Sequence, residues 1–317
     1  MNKILVIGST NIDMIACVKH LPRPGETVGE ARFMQSNGGK GANQAVAAAR
    51  LGGDVAFVSC LGDDAGAAAL RQQFAADGIN TEALFTAKDT PTGTALIFVS
   101  QDGENCIAVA PGANHSLTCE AIDAVADRIA GAEYLLVQLE IPMETVACAI
   151  EKAYVAGTRV VLNPAPAMPL ADELLRKVYL ITPNRTESET LTGIPVHTVQ
   201  DASKAAGALL AKGVGNVIVT LGSEGALIRT PAEELLIPAR TVTPVDTTAA
   251  GDVFNGALLV ALSEGRSLCR RRAVRRTQRL GLGDPHGRTG LDTVARGAGD
   301  PRLNRTKTLK LKYYVRC

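Results

Sequence analysis

The sequence predicts an α/β protein: a parallel sheet with helices on both faces, and three observations lead there. Short β-branched runs alternate with helix-period segments along most of the 317 residues. Polar and glycine residues gather just after those runs, at the sheet edge where open α/β folds bind ligands. Late in the chain, residues 246–256 (DTTAAGDVFNG) form a tight turn opening into an apolar helix. Free backbone N–H groups at such a helix start, together with its dipole, make an anion site.

Taken in order, residues 3–8 (KILVIG) read as a buried strand, followed by STNID, which sets Asn11 and Asp13 two apart beyond its carboxyl end. Turn chemistry explains such a pair equally well. The strand has no GxGxxG partner, which excludes a dinucleotide fingerprint. Residues 36–52 (SNGGKGANQAVAAARLG) follow, with paired glycines that let the backbone approach a ligand and an Ala-rich helix over 42–51. Lys40 and Asn43 lie in that helix's first turn. The missing glycine spacing and the lack of a following Ser or Thr exclude a Walker A loop.

A strand at 55–60 and a helix ending near Asp77 continue the alternation. Residues 94–100 and 106–110 flank DGEN and read as a hairpin, which breaks the βα rhythm. With the segment near 14–35 it is expected to form a small sheet covering the site. Beyond Cys119 the pattern returns: strands at 134–138, 159–162, 178–181 and 217–221, helices at 143–156, 187–191 and 202–212. Glu140 follows the first of these strands. Asn184 and Glu187, in TPNRTE, sit at a helix start, where a capping pair is the plainer explanation. Thr220, Gly222 and Gly225, in TLGSEG, follow the last strand, and the glycines suit a nucleotide's phosphates. Asp252, in the first turn of the late helix, could cap it or take a proton from a hydroxyl beside the anion turn, a pairing that suits phosphate transfer to an alcohol.

Composition narrows the class. The apolar fraction is 46% and the charged fraction 21%, ordinary for a soluble enzyme. No apolar run approaches the ~18–20 residues a spanning helix needs, and the N-terminus lacks a secretory pattern. The seven cysteines are scattered, odd in number and never spaced CxxC; the four histidines lie far apart. That argues against a disulfide framework and a zinc site, and for a reducing cytoplasm.

Net charge is +1, yet residues 269–317 hold 14 basic and three acidic residues against 19 and 29 in the preceding 268. The arginines of this segment lack aromatic interleaving, so no nucleic-acid partner is inferred. An Arg-rich run cannot be buried without pairing, so 269–317 is expected to stay outside the core as a poorly ordered tail.

GGKGANQAVAAARLG and DTTAAGD resemble the two signatures of the ribokinase-like (PfkB) carbohydrate kinase family, and VIGSTNID, PGETV, APGAN, QLEIP, NPAPA, PNRTE and VTLGSEGA are similar to further family motifs, over residues 1–268. The resemblance implies a three-layer α/β/α domain with a small β-sheet lid (segments near 10–40 and 90–110) that often clasps a homodimer. It implies transfer of the γ-phosphate of ATP to the 5-hydroxyl of ribose, or of a related sugar such as 2-deoxyribose. Asn11, Asp13, Gly39, Lys40, Asn43, Glu140 and Asp252 would hold the sugar, with Asp252 as general base and Ala249, Ala250 and Gly251 as the anion hole. Asn184 and Glu187 would order magnesium and phosphate waters, and Thr220, Gly222 and Gly225 would line the ATP site. Asp246 and Thr248 resemble half of a monovalent-cation site, which implies activation by K⁺ beside Mg²⁺.

The resemblance stops at 268, where a helix like DAVRFANAAAALSV and a loop like GAQxSIPxRE are expected. A shifted reading frame explains the break. Residues 286–296 (HGRTGLDTVAR), back-translated with suitable codons and read one base later, give Met-Gly-Ala-Gln-Ala-Ser-Ile-Pro-Ser-Arg. The same shift turns 269–275 into Ala-Asp-Ala-Val-Arg-Phe-Ala. If the lost segment leaves the site incomplete, the chain would bind sugar without turning it over.

Overall fold

The computed structural model describes residues 2–239 and 249–268. Asp246, Thr248 and the basic segment 269–317 lie outside the described residues.

The chain enters through β1 (Ile4–Ile7) and passes straight into β2 (Asn11–Val18), returning along β3 (Arg32–Gly38) to α1 (Lys40–Arg50). There follow β4 (Val55–Leu61), α2 (Ala65–Ala76), β5 (Leu84–Thr86) and the hairpin β6 (Gly93–Ser100) and β7 (Asn105–Ala110). The second half runs α3 (Cys119–Asp123), α4 (Ala126–Gly131), β8 (Tyr134–Val137), α5 (Met143–Ala156), β9 (Arg159–Leu162), α6 (Asp172–Leu175) and β10 (Leu180–Ile181). It continues with α7 (Arg185–Thr192), α8 (Val199–Ala211), β11 (Val217–Thr220), β12 (Ala226–Arg229), β13 (Glu234–Ile237) and α9 (Ala250–Ser263).

These strands form a nine-stranded sheet in the order β13-β12-β11-β10-β9-β8-β1-β4-β5 and a four-stranded sheet in the order β3-β2-β6-β7. The large sheet is parallel from β5 to β11, with β12 and β13 antiparallel at one edge. That hairpin and the short β5 carry no clear period in the sequence. The alternation of β1 shows why both faces are covered. Ile4 and Val6 pack with Ala45, Ala48, Leu70, Phe74 and Leu259 of α1, α2 and α9. Leu5 and Ile7 belong to the core on the other face, which also holds Ile122, Ile129, Val146, Ile150 and Leu209 of α3, α4, α5 and α8. Each such side chain contributes roughly 1.5–3 kcal/mol of burial. Phe57, fully buried, meets Phe74 edge-on at 5.4 Å between ring centroids, so Phe57→Ala removes a keystone of the first layer at about 3–5 kcal/mol.

Two sequence expectations are corrected. Asn11 and Asp13 do not lie in a turn; they open β2, paired with Gly38 and Ser36 of β3, because the chain leaves the large sheet and joins the small one within three residues. The cysteines do form a disulfide: Cys119 and Cys148 are bonded, with Cα atoms 5.9 Å apart. Packing of α3 on α5 brings them together, a proximity that a 29-residue separation does not reveal. Among the described residues no helix is long and apolar enough to cross a membrane.

Candidate active site

The glycines of GGKG let chain approach chain. Gly39 has φ +87°, and a Cβ there would stand 2.8 Å from Thr10 Cα and Asn11 N; one on Gly41 would stand 2.6 Å from Gly8 C. The start of α1 is thereby pressed onto the β1–β2 connection. A Cβ on Gly38 would lie 2.2 Å from Asp13 Oδ2, so that glycine makes room for the Asp13 carboxyl.

This contact assembles the first half of the site. The Lys40 backbone N–H donates to Glu140 Oε2 at 2.9 Å, and Lys40 Nζ stands 3.8 Å from Glu140 Oε1. Ser9 Oγ donates to the same Oε2 at 2.6 Å. Asn11 is buried and its Oδ1 accepts from Asn114 Nδ2 at 2.8 Å, while Asn114 Oδ1 accepts from the Thr10 N–H. With its oxygen so engaged, Asn11 has only its amide N–H groups left as donors. Burial pushes the Asp13 carboxyl up to about 6, with Glu140 repelling it as well.

The second half comes from α9. Gly256 lets this helix touch α1: a Cβ there would meet Ala47 Cβ and Ala48 N at 2.8 Å. One turn earlier, the contact delivers Asp252 between two α1 amides. Asn43 Nδ2 donates to Asp252 Oδ2 at 3.1 Å and Gln44 Nε2 to Oδ1 at 2.9 Å. Asp252 is 7% exposed. Burial raises its carboxyl above the usual range and Glu140 adds to this; Gln44, Lys40 and Asn43 pull the other way. Ala249, the residue before the helix, has φ 58°, a left-handed conformation unfavourable for a residue with a Cβ. Among the described residues no side chain caps the helix, and a Cβ on Gly251 would meet nothing within 4 Å. The helix opens at Ala249, Ala250 and Gly251, where its first backbone N–H groups have no partner within the helix.

Behind Asp252 lies a buried polar chain that the sequence reading missed. Gln138 Nε2 donates to Gln44 Oε1 at 2.6 Å, and Gln44 Nε2 also donates to Asn163 Oδ1 at 2.8 Å. Thr182 Oγ1 donates to Asn255 Oδ1 at 2.7 Å, and Asn255 Nδ2 to Gly251 O at 2.9 Å. All five residues are at most 7% exposed. A signal was available: Gln138, Asn163 and Thr182 each directly follow a buried strand, β8, β9 and β10 in turn. A polar residue that extends an apolar run at that edge points into the site.

On the neighbouring side Asn184 and Glu187 form a reciprocal capping box at the start of α7, so the plainer expectation for them holds. Yet Glu187 is 8% exposed, and burial raises its carboxyl, with Lys40 drawing it down and Asp252 repelling it. It therefore faces the same centre. Thr220 bridges to Asn184 across the strand ends, and its N–H donates to Pro183 O at 2.9 Å. Gly222 has φ +61° and open space above it. Gly225 answers a packing need instead: φ is +104°, and a Cβ would fall 1.9 Å from Ile237 O. Polar and charged groups of β2, α1, α7 and the residue Glu140 thus gather around the buried Asp252 carboxylate at the start of α9.

Known proteins resemble the chain over most of its length. The family model "pfkB family carbohydrate kinase" matches residues 1–281. A ribokinase of Haemophilus influenzae is 44% identical over 268 residues, 84% of this chain and 88% of that one. A deoxyribokinase of Salmonella typhi is 42% identical over 254 residues, 80% and 83% of the two chains. The structure of Arabidopsis thaliana ribokinase complexed with ribose and ATP superposes with a TM-score of 0.79 at 33% identity, covering 84% of this chain and 87% of that one. With a family model over most of its length and relatives of this similarity, the chain belongs to the pfkB family of carbohydrate kinases.

Proposed function

We propose that the protein is a ribokinase, transferring the γ-phosphate of ATP to the 5-hydroxyl of D-ribose. The observation that carries this reading is the buried Asp252 carboxylate, set one residue after an open anion turn and held by α1 of the sugar half. Asn11, Asp13, Gly39, Lys40, Asn43 and Glu140 bind sugar hydroxyls; Asp252 takes the proton of the attacking hydroxyl as the γ-phosphate arrives. Ala249, Ala250 and Gly251 receive the transferring phosphate on backbone N–H groups. Thr220, Gly222 and Gly225 line the nucleotide side.

Mg²⁺ fits these residues as an ion carried by ATP. Among the described residues no group of three His, Cys, Asp or Glu side chains forms a metal cage, and both Glu187 oxygens already accept from Asn184. That suits an ion held mainly by phosphates and reached through water. Bound there, it would spread the charge of the transferring phosphoryl group. Activation by K⁺ rests on Asp246 and Thr248, known from the sequence alone.

A homodimer through the lid is the assembly we favour. The pairing register sets Met14, Phe33, Leu96 and Phe98 on the sheet face opposite Asp13, all of them exposed, Phe33 by 63%. Residues 269–317 we ascribe to a neighbouring reading frame, and sequencing the coding DNA decides that.

The deoxyribokinase relative, nearly as similar as the ribokinase, supports a second reading with 2-deoxyribose as substrate. Turnover measured side by side on ribose and 2-deoxyribose with ATP and Mg²⁺, with and without K⁺, tests both. Preference for ribose by kcat/KM supports the first reading. Binding of ribose without turnover would show the chemistry to be disabled.

A further inference from the structure

We propose that Gln44 is a positioning residue for phosphoryl transfer: gripped by Gln138 and seated beside Asn163, it ties down Asp252 Oδ1 and so commits Oδ2, the oxygen beside Asn43, to the substrate hydroxyl. The proposal rests on the reading of Asp252 as the base.

The polarity of the buried chain is set from the carboxylate outward. An ionised carboxylate only accepts, so Gln44 must turn its N–H groups to Asp252 Oδ1, at 2.9 Å. Its carbonyl oxygen then faces Gln138, whose amide nitrogen donates to it at 2.6 Å. Gln44 and Gln138 are both 0% exposed. A flip of Gln44 would set its oxygen against the carboxylate, with no water to relieve the clash. Gly8 leaves the room that Gln138 needs, since a Cβ there would lie 2.0 Å from Gln138 Oε1.

Asn43 and Gln44 are neighbours in sequence but differ by one methylene, and they reach opposite oxygens of one carboxylate. Together they fix its plane. The same network returns through Asn163, Thr182 and Asn255 to Gly251 O, inside the anion turn. Base and phosphate site thus hang on one buried frame, which keeps the proton acceptor in register with the incoming phosphoryl group.

Three charged groups among the described residues face Asp252: Lys40 of α1, Glu140 beyond β8 and Glu187 of α7. Lys40 favours the ionised base and the two glutamates oppose it. Gln44 sides with Lys40, so its loss leaves burial and the acids to hold a proton on Asp252.

The test uses the full chain with Gln44→Met, which keeps length but donates nothing, and Gln44→Glu, which keeps volume but only accepts. The Asp252 carboxyl is titrated by ¹³C NMR, assigned with Asp252→Asn, beside the pH profile of ribose phosphorylation. Titration at higher pH in Gln44→Met, and higher again in Gln44→Glu, supports the proposal. The acid limb of kcat should follow, and kcat at neutral pH should fall about tenfold or more, with ribose KM changing less than about threefold. A residue that merely fills space would leave the Gln44→Met titration where it was, and that result overturns the proposal. Movement of the titration in a chain that phosphorylates no sugar would sink the kinase reading and leave the tether standing. Should the Gln44 variants not fold, Gln138→Leu removes only the grip on Gln44; it must move the titration the same way by less, and no movement overturns the idea equally.

Discussion

The two ends of the central sheet are both polar, yet they are built differently. At the carboxyl end, Gln138, Asn163 and Thr182 continue buried strands, and Gln44, bonded to the first two, donates to an acid, Asp252, that is kept from water. Carboxyls there are displaced upward: Asp13, Glu187 and Asp252. At the amino end, Tyr134, Arg159 and Tyr179 border a cavity of about 430 Å³. The Arg159 guanidinium stands 4.1 Å from the Tyr134 ring centroid and 5.9 Å from that of Tyr179. Its neighbouring ion pair, Lys3 with Glu133 at 3.7 Å, is largely exposed. Polar groups occur at both ends. What separates them is burial of acids that would rather be in water, the mark of a site arranged for chemistry.

The sharpest way to break this comparison is at Asp252. Asp252→Asn keeps the shape and removes the proton acceptor, so turnover should fall by about 10²–10⁴ while sugar binding is largely kept. A fall of less than tenfold in a steady-state assay would remove Asp252 from its role. Next in size is Asn43→Ala. It deprives a sugar hydroxyl of its partner, and ribose binding should weaken by roughly 1–3 kcal/mol, with ATP affinity barely changed. Calorimetry showing the opposite pattern would exchange the two subsites.

Much of this was legible before any coordinates. Periodicity revealed the βα repeats and the break made by the β6–β7 hairpin, because both rest on burial patterns that sequence records directly. The candidate acids were legible as positions after strands. Their partners were not. Gln44 sits in an Ala-rich helix, and only Gly256, by letting α9 touch α1, makes it a neighbour of a residue 208 positions away. The glycines of GGKG were legible as points of close approach, but not that Gly8, Ser9, Thr10, Asn11 and Asp13 are what comes close. Long-range packing decided both.

A smaller effect concerns Asp13. Its carboxyl in the folded chain stands at about 6, above the ordinary aspartate value. Between those two values the folded chain keeps a proton that the unfolded chain has lost, so this group's contribution to stability falls as pH rises through that window. Asp13→Asn should therefore stabilise the chain at pH 7, by on the order of 1 kcal/mol once the partial exposure of Asp13 is allowed for. Ribose affinity, if the ionised carboxyl accepts from the sugar, should decline below about pH 6 in the wild type and lose that dependence in the variant. Denaturant melts at pH 5 and pH 7 with both proteins measure the first effect. A destabilised Asp13→Asn at pH 7 would mean that the carboxylate is held by more than its burial suggests.

The smallest expected effect is at the amino end. Arg159→Met keeps the aliphatic stem and removes the guanidinium from the Tyr134 face. At a surface position such a contact contributes about 0.5–1 kcal/mol, which in a chain of this size lowers the melting temperature by roughly 1–3 °C. Nothing links Arg159 to the buried amides, since it begins β9 and Asn163 follows that strand's far end. kcat and both KM values should stay within about twofold of wild type, the scatter expected of a substitution that touches neither substrate. A tenfold loss of turnover in a chain that melts almost normally would mean that the amino end communicates with the cleft. The contrast between the two ends would then be one of degree, and the cavity beside Arg159 would need a role of its own.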